Sequence, residues 1–200
     1  GNIKRYISKC EDLLVREKDK FIDKDLQHFK DSVELLNSKI RDCNDEDCIR
    51  ELLFKATDLY NKIEEYPIIY AERQYDSLSY LIDEFDWLIT NNNIHRLAEL
   101  RVELKSAIST KNIQDVLAKK KAVDSLMSIL MEETLLGYII HSFSAIGFMR
   151  KYGEFCKAEE YWNVLNKLIE ALKKNDKGAK KALNKFCEKL FEEVSKTHVY

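Results

Sequence analysis

The sequence predicts an all-α protein of about eight antiparallel helices, arranged as a bundle or a short stacked array of repeated helical hairpins. Three observations predict it. The 200 residues include one proline, Pro67, and five glycines, four of them at Gly137 or later, which leaves little of the turn chemistry that sheets demand. Apolar residues recur at intervals of three and four, the spacing that keeps one stripe of a helix toward a core. A pattern of apolar spacing, polar turn and apolar spacing is also written three times: "LNSKIRDCNDEDCIRELLFKATDL" at 36–59, "LKSAISTKNIQDVLAKKKAVDSL" at 104–126 and "LIEALKKNDKGAKKALNKFCEKL" at 168–190. One helix of such a pair cannot bury its own apolar face, and repeating the pair lets neighbours cover each other.

The first helix runs over 3–20, with Ile3, Ile7, Cys10 and Leu14 as its stripe. Asp23 is placed to cap the second, striped by Leu26, Phe29, Val33, Leu36 and Ile40. The polar "RDCNDED" interrupts, and Asn44 or Asp45 caps a third helix carrying Ile49, Leu52, Leu53, Ala56, Leu59 and Ile63. A short side-chain acceptor there bonds an orphan amide, and acids favour the helix dipole. Pro67 disfavours helical geometry at Tyr66, so that helix stops and the next begins at or just after the proline. This fourth helix covers 68–90, with Leu78, Leu81, Ile82, Phe85, Trp87 and Leu88 on a broad apolar face, and "NNN" at 91–93 closes it. A second hairpin takes 94–108 and 113–131, turning at "STKN" with Thr110 or Asn112 as cap. A strongly apolar helix follows over 135–150, and a last hairpin over 159–174 and 178–194 turns at "KNDKG". The domain organisation expected is one helical unit over 1–66 and a bundle over 67–200, built from two further hairpins and the apolar helix, or else one continuous array.

Net charge is -2, with 15 basic against 22 acidic residues in positions 1–100 and 18 against 13 in the remainder. At the Debye length of cell salt, such an imbalance reads as solvated faces. Five cysteines, odd in number and without C-x-x-C spacing or a secretory context, argue against a disulfide framework and for a reducing cytosol. Cys43 and Cys48 flank the first hairpin turn and read as buried or idle thiols, not as a bridge or a metal site. No signal-peptide pattern opens the chain. "GNIKRY" lacks a methionine and reads as the start of a fragment with Gly1 left from a tag, whose function belongs partly to a missing neighbour.

No catalytic motif emerges. Carboxylate-bridged metal bundles repeat a Glu-x-x-His pair on two helices; here the nearest match is one "DLQH" at 25–28, and His28, His95, His141 and His198 are scattered. His-Glu-x-x-His, glycine-rich phosphate loops and a nucleophile elbow are missing. "HSFSAIG" at 141–147 is similar to a phosphotransfer histidine segment but lacks the accompanying lysine, so His141 reads as a satisfied histidine on a buried helix. The run "LLGYIIHSFSAIGFM" at 135–149 falls short of the roughly 20 apolar residues that span a bilayer. It reads first as a core helix. The sharper alternative is a self-association or client-binding patch made by Leu135, Leu136, Ile139, Ile140, Phe143, Ile146 and Phe148. Lysines at 119–121, 173–174 and 180–181 are interleaved with acids and read as solvated faces, not phosphate contacts. Trp87 and Trp162 lie at helical spacing among aliphatics and read as packing.

The stretch 7–65, beginning "ISKCEDLL", passing "HFKDSVELLNSKI" and ending "ELLFKATDLYNKIEE", resembles the C-terminal helical part of DnaK-type heat-shock chaperones, the heat-shock protein seventy family. There a segment like "AExLL" leads a helix from the peptide-binding sandwich, and a long helix, a short acidic turn and a partner helix form the lid. The later copies look like the extended helical tails of divergent bacterial members. The resemblance implies a non-catalytic cytoplasmic lid or tail without a cofactor. Its partners would be protein clients or cochaperones and the upstream ATPase and peptide-binding domains of the same parent chain, with no nucleic acid or membrane involved. The family's ATP site and peptide cleft map onto no residue here, and the ending "FEEVSKTHVY" departs from the acidic tail of eukaryotic members. The residues alone leave a second expectation, a stand-alone helical adaptor or oligomerisation module, a homo-oligomer through 135–149.

Overall fold

Nine α-helices and one 3-10 turn follow one another along the residues that the computed structural model describes, 1–132 and 134–196, with no strand among them. They are α1 Asn2–Arg16, α2 Asp23–Ile40, α3 Glu46–Glu64, α4 Pro67–Phe85, α5 Asn91–Thr110, α6 Ile113–Glu132, α7 Thr134–Lys151, α8 Phe155–Lys173 and α9 Ala179–Lys196. The count is one above the expected total of about eight, although the stripes taken singly already outline all nine. His198 and the end of "FEEVSKTHVY" lie outside the described residues.

Helix ends follow from local chemistry, and several differ from expectation. α1 stops at Arg16, and Lys18–Lys20 tighten into the 3-10 turn before Phe21, which is extended and 1% exposed. Asp23 is the first residue of α2 and not its cap; Ile22 holds that position without a side-chain bond. Asp45 does cap α3, its Oδ1 accepting the Cys48 amide at 2.8 Å. Asn112 Oδ1 accepts the Asp115 amide at 3.1 Å to cap α6. Thr110 instead completes α5, its hydroxyl donating to the Ser106 and Ala107 carbonyls. The three asparagines open α5 rather than close α4, which ends at Phe85. Short polar side chains suit a first turn, where backbone amides lack helical partners. Gly153, at φ +82°, ends α7 early enough for α8 to begin at Phe155 instead of 159.

The three repeated segments correspond to α2–α3, α5–α6 and α8–α9. The second and third turn by the same device. Lys111 (φ 51°) and Asn175 (φ 58°) take the left-handed conformation, and the next amides, Asn112 and Asp176, reach back to the carbonyls of Ala107 and Ala171. That is a Schellman closure, which satisfies carbonyls orphaned at a helix C-terminus. The first copy turns differently. Its acidic loop brings Cys43 and Cys48 to a Cα–Cα distance of 5.7 Å, and they form a disulfide, which corrects the expectation of idle thiols. Sequence spacing of five says little about geometry; the helical first turn of α3 folds Cys48 back to the end of α2, within bridging range. Cys10 and Cys187 are buried free thiols and Cys156 is an exposed one.

The chain divides into two compact units, one of residues 1–83 and 95–123, the other of 84–94 and 124 onward. The division falls inside α4, α5 and α6 instead of at 66/67. Pro67 only opens a helix, and Tyr66 before it is buried in the first unit rather than exposed in a linker. In that unit α1 packs on α3 and α2, and α2 on α3, around Ile7, Cys10, Leu14, Leu36, Ala56 and Ile63. Tyr66 stacks 4.7 Å from Phe21, accepts the Ile22 amide and donates to Asp25 at 2.7 Å. Lys120 lies over the Tyr70 ring at 4.7 Å, and Lys119 pairs with Glu103 at 3.2 Å. In the second unit α7 packs on α8 and α9, which also pack on each other. Leu136, Ile139, Ile146, Leu165, Leu183 and Leu190 form its interior. Ser142, fully buried on α7, donates to the Tyr138 carbonyl at 2.7 Å and sits 3.2 Å from the Cys187 sulfur. Gly137 is obligatory there, since a Cβ would run into the Met131 carbonyl oxygen.

Candidate functional site

The apolar run of α7 is mainly interior. Leu136, Ile139 and Ile146 are at most 1% exposed, so these three residues cannot form a partner surface without unfolding the unit. Leu135, Ile140, Phe143 and Phe148 are half-buried. Phe143 packs against Phe85 at 6.1 Å and Trp162 at 5.4 Å, so Trp162 is packing, as expected. Phe148 lies 4.5 Å from the Tyr152 ring. His141 is exposed, not buried, and its ring stands edge-on to Phe191 at 6.5 Å. The sequence misplaces it because a helix with apolar residues on nearly every side offers no stripe from which to read the solvent face.

What remains accessible lies elsewhere. Tyr152 and Phe155 are 59% and 67% exposed at the α7–α8 turn. A groove of about 390 Å³ at one end of the α1–α2–α3 bundle is lined by Ile3, Ile40, Cys43, Ile49, Leu52 and Leu53, below the acids of the first hairpin turn. A second groove, of about 530 Å³, runs between α8 and α9 over Tyr161, Val164, Leu168, Ala182 and Phe186. Both follow from sequence periodicity. Helix α8 carries two apolar stripes: Ala158, Leu165 and Leu172 are buried, while Tyr161, Val164 and Leu168 sit on an adjoining face. The second stripe was the available signal, at spacings of three and four.

One end of the α8–α9 groove is fixed by a three-residue cluster. Tyr161 donates a short hydrogen bond to Glu193, which also pairs with Lys157 at 2.9 Å. Burial, then the bond to Glu193, pushes the Tyr161 hydroxyl up to about 12. The bonds from Tyr161 and Lys157 hold the Glu193 carboxyl below its ordinary value. This keeps the tyrosine neutral and the glutamate ionised, an arrangement for anchoring two helices.

Other reactive side chains are dispersed. Among the described residues no group of three or more His, Cys, Asp or Glu side chains could hold a metal ion, and no helix is long and apolar enough to cross a membrane. Burial, then Glu11, raises the Cys10 thiol to about 11, and burial raises Cys187, so both stay protonated. The charge imbalance of the sequence halves also disappears in the fold. The first unit holds 21 basic and 22 acidic residues, the second 12 and 13. Set against family models, curated proteins and solved structures, the chain matches none.

Proposed function

We propose that this chain is the non-catalytic helical region of a DnaK-type chaperone, acting as lid or partner-binding tail for protein clients. The observation that carries the reading is the order and packing of the first three helices. A leading helix α1, a long α2, an acidic turn and a partner helix α3 pack on one another, and the quoted resemblance over 7–65 follows the same order. The accessible apolar grooves, and the dispersal of ionisable groups among the described residues, favour binding over chemistry. As a lid the region would act by contacting the closed, client-loaded state more than the open one, because only that difference shifts a population.

The test is peptide release from the parent chain. Deleting residues 1–196 should accelerate dissociation of a labelled extended apolar peptide at least about tenfold, a change of about 1.4 kcal/mol in the bound state. Unchanged release, or a reading frame without an ATPase and a β-sandwich upstream, would refute the proposal. The stand-alone adaptor is the second reading, favoured by the exposed Phe155 and by the exposed Tyr152, whose ring lies against Phe148.

A further inference from the structure

The α8–α9 groove has an unbalanced rim. On its α9 side stand Lys185 and Lys189, one helical turn apart and exposed; Lys181, a turn earlier, continues the row. None of these three lysines is in an ion pair among the described residues. The acids lining the groove are Glu160 and Glu193; Glu154 and Glu192 share a neighbouring pocket with Lys189, and Glu192 is paired with Lys196 at 3.1 Å. Glu193 is engaged by Tyr161 and Lys157, and the field of Glu160 falls on Lys157; Lys189 reaches Glu193 only at longer range. The floor is apolar and open, with Val164 47% exposed, and its α8 positions Tyr161, Val164 and Leu168 recur at three and four.

We infer that this groove docks an acidic amphipathic helix. The partner's apolar face, spaced at i, i+3 or i+4 and i+7, lies on Tyr161, Val164 and Leu168, and carboxylates along its edge meet Lys185 and Lys189. The floor supplies affinity by removing apolar surface from water. The lysine row supplies selection, because a basic helix of identical apolar spacing would bring like charges together. The inference goes beyond the chaperone reading and stands without it, since an adaptor could use the same groove.

Fluorescence anisotropy of the 200-residue chain tests it, with a labelled probe of about 16 residues, some four helical turns, made of Leu, Ala and Glu. A second probe replaces every Glu by Lys. The acidic probe should bind at least about tenfold more tightly than the basic one, and its affinity should fall with added salt. The double variant Lys185→Glu/Lys189→Glu should weaken it about tenfold, and Val164→Asp should do the same. All three positions are exposed, so the circular dichroism melts should stay cooperative and shift only slightly, through the like charge that Lys189→Glu sets near Glu193. A control in the other unit, Lys24→Glu/Lys30→Glu on α2, both exposed, should bind like wild type. Equal binding of the two probes, no binding of the acidic probe, or indifference to the double variant would overturn the inference. So would self-association of the chain that the double variant abolishes, which would assign the groove to a second copy.

Discussion

At Lys111 the chain carries a lysine where the backbone favours glycine. Its φ of 51° places it in the left-handed region, where a Cβ crowds the following carbonyl and costs about 1 kcal/mol. Asn175 does the same work in the third copy with a side chain that tolerates the conformation, and Gly178 and Gly153 supply positive φ nearby without strain. Lys111→Gly should therefore stabilise the protein by about 0.5–1 kcal/mol, offset partly by the greater freedom of glycine in the unfolded chain. Urea denaturation reads the change directly. A destabilised variant would mean that the Schellman closure at Asn112 and Ala107 does not set the turn. The lysine at this turn was visible in "STKN", but the conformation was not, because a turn residue's φ is set by where the two flanking helices must meet.

At the scale of elements, the amphipathic helices were legible and the all-apolar one was not. α1, α3 and α9 each present one stripe, and their buried residues Ile7, Cys10, Leu14, Leu59, Ile63, Leu183 and Leu190 follow it. Helix α7 has no such contrast: its Leu136, Ile139 and Ile146 are interior, yet no stripe in its sequence marks the solvent face that carries His141. The α8–α9 tie joins residues 32 positions apart across the hairpin, and no local pattern announces it. Its pH dependence has a definite sign. Tyr161 is raised above its ordinary 10 to about 12, so its contribution is intact below pH 10 and is lost as pH rises through about 12. Glu193 is lowered, so its contribution is present above its ordinary value and is lost as pH falls through the lower folded one. Tyr161→Phe should accordingly lower the urea midpoint between about pH 4.5 and 10, with the difference from wild type closing on both sides. A difference that persists undiminished well outside that range, on both its acid and its alkaline side, would contradict the tie.

For the whole molecule, the repeated hairpins explain why so much of the fold could be read while the boundary between units could not. Each stripe specifies that a helix must be covered, but not by which partner, and the divisions within α4, α5 and α6 depend on partners that only the folded chain selects. The same ambiguity attached to 135–149, whose apolar run is equally compatible with burial in its own unit or against another molecule. In the fold α7 is the post around which α8 and α9 pack, and an accessible apolar surface of that unit lies in the α8–α9 groove. Hydrogen exchange read by mass spectrometry over a wide range of protein concentration tests this most directly. Peptides covering 136–149 should be among the slowest to exchange in their unit, at every concentration. Rapid exchange of those amides in dilute protein, with protection appearing only as concentration rises, would contradict the account.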